Sequence, residues 1–173
     1  YKTAIAKYQI SAETGVAQAQ RELGLIYFYG EVVPQDNQQA MKWLRLAAEQ
    51  QDGAACNMMG RMYELGMTGA VDTAAALEWF RRGADNGDAA ARYNLGRAYI
   101  AGWGVERDME QAFSYMRQSA EQGNPGAQAD LARFYEIGQS VKQNYARALV
   151  WAGRSALQKD VMGTLRLASL YDR

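Results

Sequence analysis

The sequence predicts an all-α fold, a right-handed α-solenoid built from 36-residue helix-turn-helix repeats. Three observations predict it. The same residue types return every 36 positions without a gap, each period carries two apolar stripes at helical spacing, and the chain is rich in alanine with only 2 prolines among 173 residues. Because a single helical hairpin cannot bury its apolar face, neighbouring copies are expected to stack into a solenoid.

The 36-residue register is set by columns of apolar, glycine, acidic and aromatic residues. The columns are Leu23-Gly24, Met59-Gly60, Leu95-Gly96 and Leu131-Ala132; Tyr27, Tyr63, Tyr99 and Tyr135; Gly30, Gly66, Gly102 and Gly138; Asp36, Asp72, Asp108 and Asn144; Trp43, Trp79, Tyr115 and Trp151. They divide the chain into a half repeat (1–16), four repeats (17–52, 53–88, 89–124, 125–160) and a second half repeat (161–173), which we interpret as one solenoid domain. Because the pattern of an amphipathic helix is already under way at Tyr1, we expect the chain to be a piece of a longer protein.

Helix A opens each repeat. In the first repeat Ala19, Leu23 and Tyr27 recur at helical spacing and form its apolar stripe. Gly30 marks the end of this helix, because glycine enters the left-handed conformation without strain. Asp36 then supplies a side-chain oxygen that can cap the N-terminus of helix B.

Helix B follows after the turn, with an apolar face that includes Trp43 and Leu44. Gly87 and Gly123 mark the end of this helix in the second and third repeats, and Gln51 stands in that place in the first repeat. A second column of polar side chains can cap the next helix A. Its members are Asp52, Asp88 and Asn124.

The charge balance and the missing residue types exclude several classes of function. Lys+Arg and Asp+Glu number 19 each, so the chain lacks the basic excess of a nucleic-acid-binding protein. It contains no His and one Cys, which excludes Ser-His-Asp and Cys-His catalytic sites, a disulfide within the chain and a Cys-rich zinc site. No apolar run reaches the roughly 20 residues of a membrane span. We therefore expect no cofactor, no metal, no nucleic-acid partner and no direct membrane insertion.

These columns resemble the Sel-one-like repeat, a branch of the tetratricopeptide-repeat superfamily. The clearest match covers residues 91–123, which read ARYNLGRAYIAGWGVERDMEQAFSYMRQSAEQG, and the resemblance extends over essentially the whole chain. The fourth repeat departs from the family pattern, because Ala132 takes the place of the glycine. The resemblance implies a bacterial, non-enzymatic binding scaffold whose A helices line a concave surface.

Several functions are implied by this resemblance. They are a host-interaction factor, a regulator of envelope signalling or secretion, and an immunity protein against a secreted effector. If a signal peptide was trimmed, the resemblance favours a periplasmic or secreted location over the cytoplasm. The alternative is a penicillin-interacting or other small-ligand-binding repeat protein. Cysteine-rich family members associated with penicillin carry a Cys pair in each repeat, whereas Cys56 is alone here, in the column of Gln20, Arg92 and Gln128.

Counting from the Leu-Gly column predicts which side chains of the A helices face a protein or peptide partner. The predicted partner-binding residues are Arg21, Phe28, Tyr29, Arg61, Tyr93, Arg97 and Arg133, with Trp103 in an inter-helix loop. Arg61, Arg97 and Arg133 share one column, and such a ladder suits an acidic peptide. Two structural interpretations compete: Arg61 and Arg133 can each pair with the Glu three residues later, and the aromatic rings can pack between repeats.

A second arginine column lies on helix B. Arg45, Arg81 and Arg117 each have an acidic residue four positions later. This spacing places both charges on one side of a helix, so we interpret the column as a solvated convex face. Cys56 is interpreted as an inert small residue, because nothing next to it in the sequence would stabilise a thiolate.

Overall fold

The computed structural model of the protein describes residues 2–67 and 69–172, with the backbone alone at residues 2–4. Tyr1 lies outside these ranges. The described residues form ten α-helices and no strand, as the sequence predicts. The helices are α1 (Lys2–Glu13), α2 (Ala17–Tyr29), α3 (Asn37–Glu49), α4 (Gly53–Glu64), α5 (Thr73–Asp85), α6 (Ala89–Ala101), α7 (Met109–Glu121), α8 (Pro125–Ile137), α9 (Tyr145–Leu157) and α10 (Val161–Tyr171). The A helices α2, α4, α6, α8 and α10 begin 36 residues apart, and so do the B helices α3, α5, α7 and α9.

The chain divides into two compact units, residues 1–91 and residues 92–173, and the division falls within α6. In the first unit α1 packs on α2, α2 on α3, α3 on α4 and α4 on α5. In the second unit α7 packs on α8, α8 on α9 and α9 on α10, and α8 also contacts α10. Within each unit a helix therefore packs mainly on its neighbours along the chain, which is how a repeat architecture buries its apolar faces.

The predicted helix ends are confirmed. The glycine column that ends the A helices, Gly30, Gly66, Gly102 and Gly138, has φ between 66° and 72°. Side-chain oxygens of the acidic and amide columns accept N–H groups at the helix N-termini; these caps are Asp36, Asp52, Asp72, Asp88, Asp108, Asn124, Asn144 and Asp160. At the ends of the B helices, Gln51 (φ 65°) and Lys159 (φ 63°) adopt the conformation that Gly87 and Gly123 adopt in the other repeats.

The Leu-Gly column explains how closely the two helices of a hairpin approach. A Cβ added to Gly24 would lie 2.7 Å from Cγ of Leu44, and one added to Gly60 would lie 2.5 Å from Cε1 of Phe80. A Cβ on Gly96 would meet Met116 at 2.9 Å. In the fourth repeat the corresponding pair is Ala132 and Ala152, both fully buried. The departure from the family pattern at Ala132 thus has a physical reason: the residue opposite is small, so the helix has room for a methyl group.

A polar side chain near the start of helix A links three helices. Gln20 donates to the carbonyl of Ala12 in the preceding helix (3.1 Å) and accepts from Gln50 at the end of its own helix B (2.8 Å). Gln128 makes the same bonds to Ala120 (3.2 Å) and with Gln158 (2.9 Å). Because these amides are buried, each needs the partners that it finds.

In the second repeat Cys56 occupies the position of these glutamines. Its thiol lies 3.9 Å from the carbonyl of Ala48 and 3.9 Å from the side-chain nitrogen of Asn86. Cys56 is fully buried, and this burial raises the pKa of its thiol. The thiol therefore stands in for an amide in the inter-helix bonding.

Candidate interaction surfaces

The predicted partner-binding residues of the first unit are mostly engaged within the fold. Arg21 is half-buried, and its guanidinium bonds Asp52 at 2.7 Å and Glu22 at 3.0 Å. Because Asp52 also caps α4 through its other oxygen, Arg21 joins α2 to the N-terminus of α4. Its contact with a partner remains a prediction, but the structure gives this side chain a role in packing.

Phe28 differs from the expectation of an accessible ring. It is only 6% exposed and belongs to the apolar cluster formed with α3 and α4. Phe28 is buried because it packs between repeats, which is the structural interpretation of the aromatic residues that the sequence had left open. The guanidinium of Arg61 lies 6.0 Å from the centroid of this ring, so Arg61 is half-buried above it. Tyr29 packs edge-on against Phe28 at 5.0 Å and is 54% exposed, which leaves it available at the surface.

In the second unit the predicted residues of α6 and α8 come together. The ring of Tyr93 lies directly over Gly126 at the start of α8, where a Cβ would be 2.9 Å from Cζ of the ring. The guanidinium of the exposed Arg97 lies 5.8 Å from the centroid of the same ring. Burial raises the pKa of the Tyr93 hydroxyl, the neighbouring Asp130 also raises it, and Arg97 lowers it. Tyr93 is thus a half-buried platform beneath an accessible cation.

Arg133, on α8, is exposed at the edge of a small cavity of about 50 Å³. Apolar walls come from Ile100 of α6 and from Phe134 and Ile137 of α8, and Asp130 lies beside Arg133 in the lining. Burial raises the pKa of the Asp130 carboxyl, against the lowering effect of the arginines around it. Those arginines are Arg166, Arg133 and Arg97, on three successive A helices. We call Tyr93, Arg97, Asp130 and Arg133 the A-face of the second unit.

The sequence did not single out Arg166, and it did not predict Asp130 as a partner-binding residue. Glu136, the predicted alternative partner of Arg133, accepts from Nη1 of Arg166 at 2.7 Å, so this ion pair joins α8 to α10. Both side chains are largely buried, and Nε of Arg166 has no hydrogen-bond partner among the described residues. The sequence carried no local signal for this pair, because Glu136 belongs to the fourth repeat and Arg166 to the half repeat that follows it, and the packing of α10 on α8 brings them together.

Trp103 is half-buried in the turn after α6, where its backbone N–H donates to the carbonyl of Ala98 at 3.0 Å. On helix B, Arg117 lies 3.9 Å from Glu121, and both side chains are more than half exposed. This exposed pair agrees with the prediction that the column of Arg45, Arg81 and Arg117 faces solvent.

The described residues contain no group of three or more His, Cys, Asp or Glu side chains that could hold a metal ion. None of the helices in the described ranges combines the length and the apolar character needed to cross a membrane.

The fold defines the class of protein: helical hairpins repeated every 36 residues, with arginine and aromatic side chains on the A helices. The model of the family described as Sel1 repeat matches residues 17–52, 53–88, 89–124 and 125–160. The chain therefore belongs to the Sel1 repeat family. This is the family that the sequence columns resemble, a family of generally non-catalytic scaffolds that mediate protein–protein interactions.

Solved structures agree with this assignment. A Sel1 repeat protein from Oxalobacter formigenes is 34% identical, with a TM-score of 0.90 over 99% of this chain and 70% of that one. A protective antigen present in uropathogenic Escherichia coli strains, which displays an SLR fold, is 32% identical, with a TM-score of 0.55 over 96% of this chain and 44% of that one. The present chain thus spans less than half of the second relative.

An immunity protein from Pseudomonas aeruginosa shares the fold at 23% identity, with a TM-score of 0.66 over 92% of this chain and 59% of that one. The comparison with curated proteins gave no match.

Proposed function

We propose that the protein is a non-catalytic scaffold that binds a protein or peptide partner in a groove formed by its A helices, with the A-face of the second unit as the main contact. The observation that carries this proposal is the placement of Arg97 and Arg133. Both are exposed, they lie on α6 and α8, and both act on the half-buried carboxyl of Asp130.

The chemistry of the A-face favours an acidic partner. Guanidinium groups bind carboxylates through paired hydrogen bonds, and arginine and tyrosine are enriched among the residues that dominate binding energy at interfaces. Ile137, at the rim of the cavity, is 50% exposed and offers an apolar contact beside the cations. A segment with one carboxylate for each exposed arginine and an aliphatic side chain for the cavity would satisfy these groups.

The role of such binding is proposed to be that of a bacterial host-interaction factor. The similarity to the protective antigen present in uropathogenic E. coli strains, at 32% identity, supports this role. The immunity protein shares only the fold, so it gives the immunity role no support beyond architecture.

The proposal is tested by affinity capture of partners with the intact chain, followed by measurement of their affinity for an Arg97→Glu, Arg133→Glu double variant. We expect binding to weaken at least about tenfold, since two attractive contacts become repulsive. Arg45→Glu with Arg81→Glu makes the same charge change on the B helices and is the matched control. Equal affinity for both double variants would contradict the proposed contact surface.

The penicillin-interacting alternative has a direct test with a fluorescent penicillin. Ser119 and Ser155 are fully buried, which keeps two of the chain's serine hydroxyls from acting as nucleophiles toward a ligand in solution. We expect no covalent labelling of the folded protein. Labelling that disappears on substitution of one serine would replace the scaffold proposal with the small-ligand one.

A further inference from the structure

The B helices of the second unit carry a cavity that the A-face proposal does not use. It measures about 520 Å³, opens to solvent between α7 and α9, and has Tyr135 of α8 in its lining. Three arginines line it, Arg117 from α7 and Arg147 and Arg154 from α9, against a single carboxylate, Glu121. We call this cavity the B-face pocket.

Arg147 and Arg154 of the B-face pocket each lie against an aromatic ring. The guanidinium of Arg147 lies 5.4 Å from the centroid of Tyr135, and its Nη1 donates to the Tyr135 hydroxyl at 3.3 Å. The guanidinium of Arg154 lies 4.6 Å from the centroid of Trp151. Such contacts orient a guanidinium without neutralising its charge, so its remaining N–H groups stay available to an anion.

The one acidic group in the lining is a weak competitor. Oε1 of Glu121 lies 3.9 Å from Nε of Arg117, and the two side chains are 58% and 53% exposed. An exposed ion pair of this length contributes little free energy, and an incoming carboxylate can replace it. The pocket therefore keeps a positive excess.

The other repeats provide an internal comparison, because the same columns carry different charges there. Where the fourth repeat has Asn144, Arg147 and Val150, the second repeat has Asp72, Ala75 and Glu78. The aromatic and its arginine are retained, since the guanidinium of Arg82 lies 4.2 Å from the centroid of Trp79. The third repeat has Asp108, Gln111 and Ser114 in these columns. We call Asn144, Arg147 and Val150 the basic set of the fourth repeat. The fold does not require it, because the column of Arg147 holds Gln39, Ala75 and Gln111 in the other three repeats.

We propose that the B-face pocket is a second interaction site, which binds the carboxylate side chains of an acidic protein segment that also carries aliphatic residues. Planar guanidinium groups match carboxylates in paired geometry. Val150 is 54% exposed in the lining and gives an aliphatic side chain a contact that a phosphate backbone would not use. The balance of 19 basic and 19 acidic residues also disfavours nucleic acid, which is bound through an extended basic surface.

The repeat comparison supplies a variant that is expected to fold. Asn144→Asp, Arg147→Ala and Val150→Glu together place the residues of the second repeat in the fourth. The reciprocal variant, Asp72→Asn, Ala75→Arg and Glu78→Val, places the basic set in the second repeat. The N-cap is preserved in both, because Asp72 and Asn144 each accept an N–H group at the start of their helix. Circular dichroism and thermal melting verify that each variant is folded.

The probe is a fluorescein-labelled peptide of repeated Glu-Glu-Leu, and its binding to the intact chain is measured by fluorescence anisotropy. A labelled Gln-Gln-Leu peptide and labelled oligothymidylate are the comparison ligands. We expect the acidic peptide to bind the natural chain and to bind the fourth-repeat variant at least about tenfold more weakly. Its affinity for the natural chain should fall as salt is added. The reciprocal variant should bind the peptide more tightly than the natural chain does.

Three outcomes would overturn the proposal. They are no binding of the acidic peptide to the natural chain, equal binding to the fourth-repeat variant, and equal binding of the glutamine peptide. Tighter binding of oligothymidylate than of the acidic peptide would instead assign the pocket to nucleic acid. Because the A-face is proposed to bind segments of the same chemistry, every chain in this assay also carries Arg97→Glu and Arg133→Glu. Peptide binding then reports the B-face pocket, and failure of this proposal is distinguishable from failure of the A-face proposal.

Discussion

Gly60 of α4 packs directly against the ring of Phe80 in α5, and a methyl group on Gly60 would overlap that ring. Because Phe80 is fully buried, it has little room to withdraw. We expect Gly60→Ala to lower the free energy of unfolding by about 1–3 kcal/mol, the usual effect of overpacking, despite alanine's higher helix propensity. Urea denaturation of the intact chain measures it.

The matched control for this substitution is Gly153→Ala. Gly153 also lies inside a helix, but an added Cβ would have no atom within 4 Å. Here the helix propensity of alanine acts alone, so stability should rise by about 0.5–1 kcal/mol. Destabilisation of equal size at both positions would show that the contact with Phe80 is not what restricts Gly60.

Lys159 ends α9 in the left-handed conformation that glycine adopts after α5 and α7. We expect Lys159→Gly to raise the free energy of unfolding by about 0.5–1 kcal/mol, because relief of the backbone strain exceeds the entropy that glycine adds to the unfolded chain. Gly123→Ala makes the reverse change where no atom lies within 4 Å and should destabilise by a similar amount. Thermal melting measures both variants. A higher melting temperature for Lys159→Gly with a lower one for Gly123→Ala would support strain at Lys159, and shifts in the same direction would contradict it.

Asp130 makes stability depend on pH. Burial raises the pKa of its carboxyl in the folded protein, so the unfolded chain gives up this proton more readily. The contribution of Asp130 to the free energy of unfolding is therefore fully present below the ordinary aspartate pKa. It is lost as the pH rises through the raised pKa of the folded protein. Asp130→Asn should be more stable than the natural chain at neutral pH, and the difference should shrink in acid.

Denaturation by urea at neutral and at acidic pH measures this difference. The exposed Asp85→Asn is the control for loss of one carboxylate and should change stability little at either pH. A neutral-pH loss of stability in Asp130→Asn would show that the surrounding arginines outweigh burial.

Cys56 is fully buried in the first unit, and burial raises the pKa of its thiol. Because the thiolate is the reactive form, we expect alkylation by iodoacetamide to be more than about tenfold slower in the folded chain than in denaturant. Mass spectrometry follows the rate. Similar rates in both conditions would place the thiol in contact with solvent.

The sequence was sufficient for the fold because its signals are local and repeated. Gly30 and Asp36 specify a helix end and a helix start by their own backbone chemistry, and the 36-residue period multiplies that signal. The surfaces were harder to predict. Phe28 and Tyr29 are adjacent in sequence, yet one is buried under the next repeat and the other is exposed, which depends on contacts that no local pattern encodes.

The ion pair of Arg166 with Glu136 shows the same limit. Each residue resembles an ordinary charged position of a helix surface, and only the packing of α10 on α8 brings them to 2.7 Å. The convergence of Arg117, Arg147 and Arg154 likewise depends on the approach of α7 and α9.

The bonds of Gln20 and Gln128 have a consequence for how such a chain evolves. Toward the preceding repeat each side chain uses a backbone carbonyl, that of Ala12 or Ala120, and toward its own helix B it uses a side-chain amide. This bond is therefore indifferent to the side chains of the repeat that comes before it. Unequal recombination that adds or deletes one whole period leaves this bond intact, so this part of the junction allows the length of the array to change in steps of 36 residues.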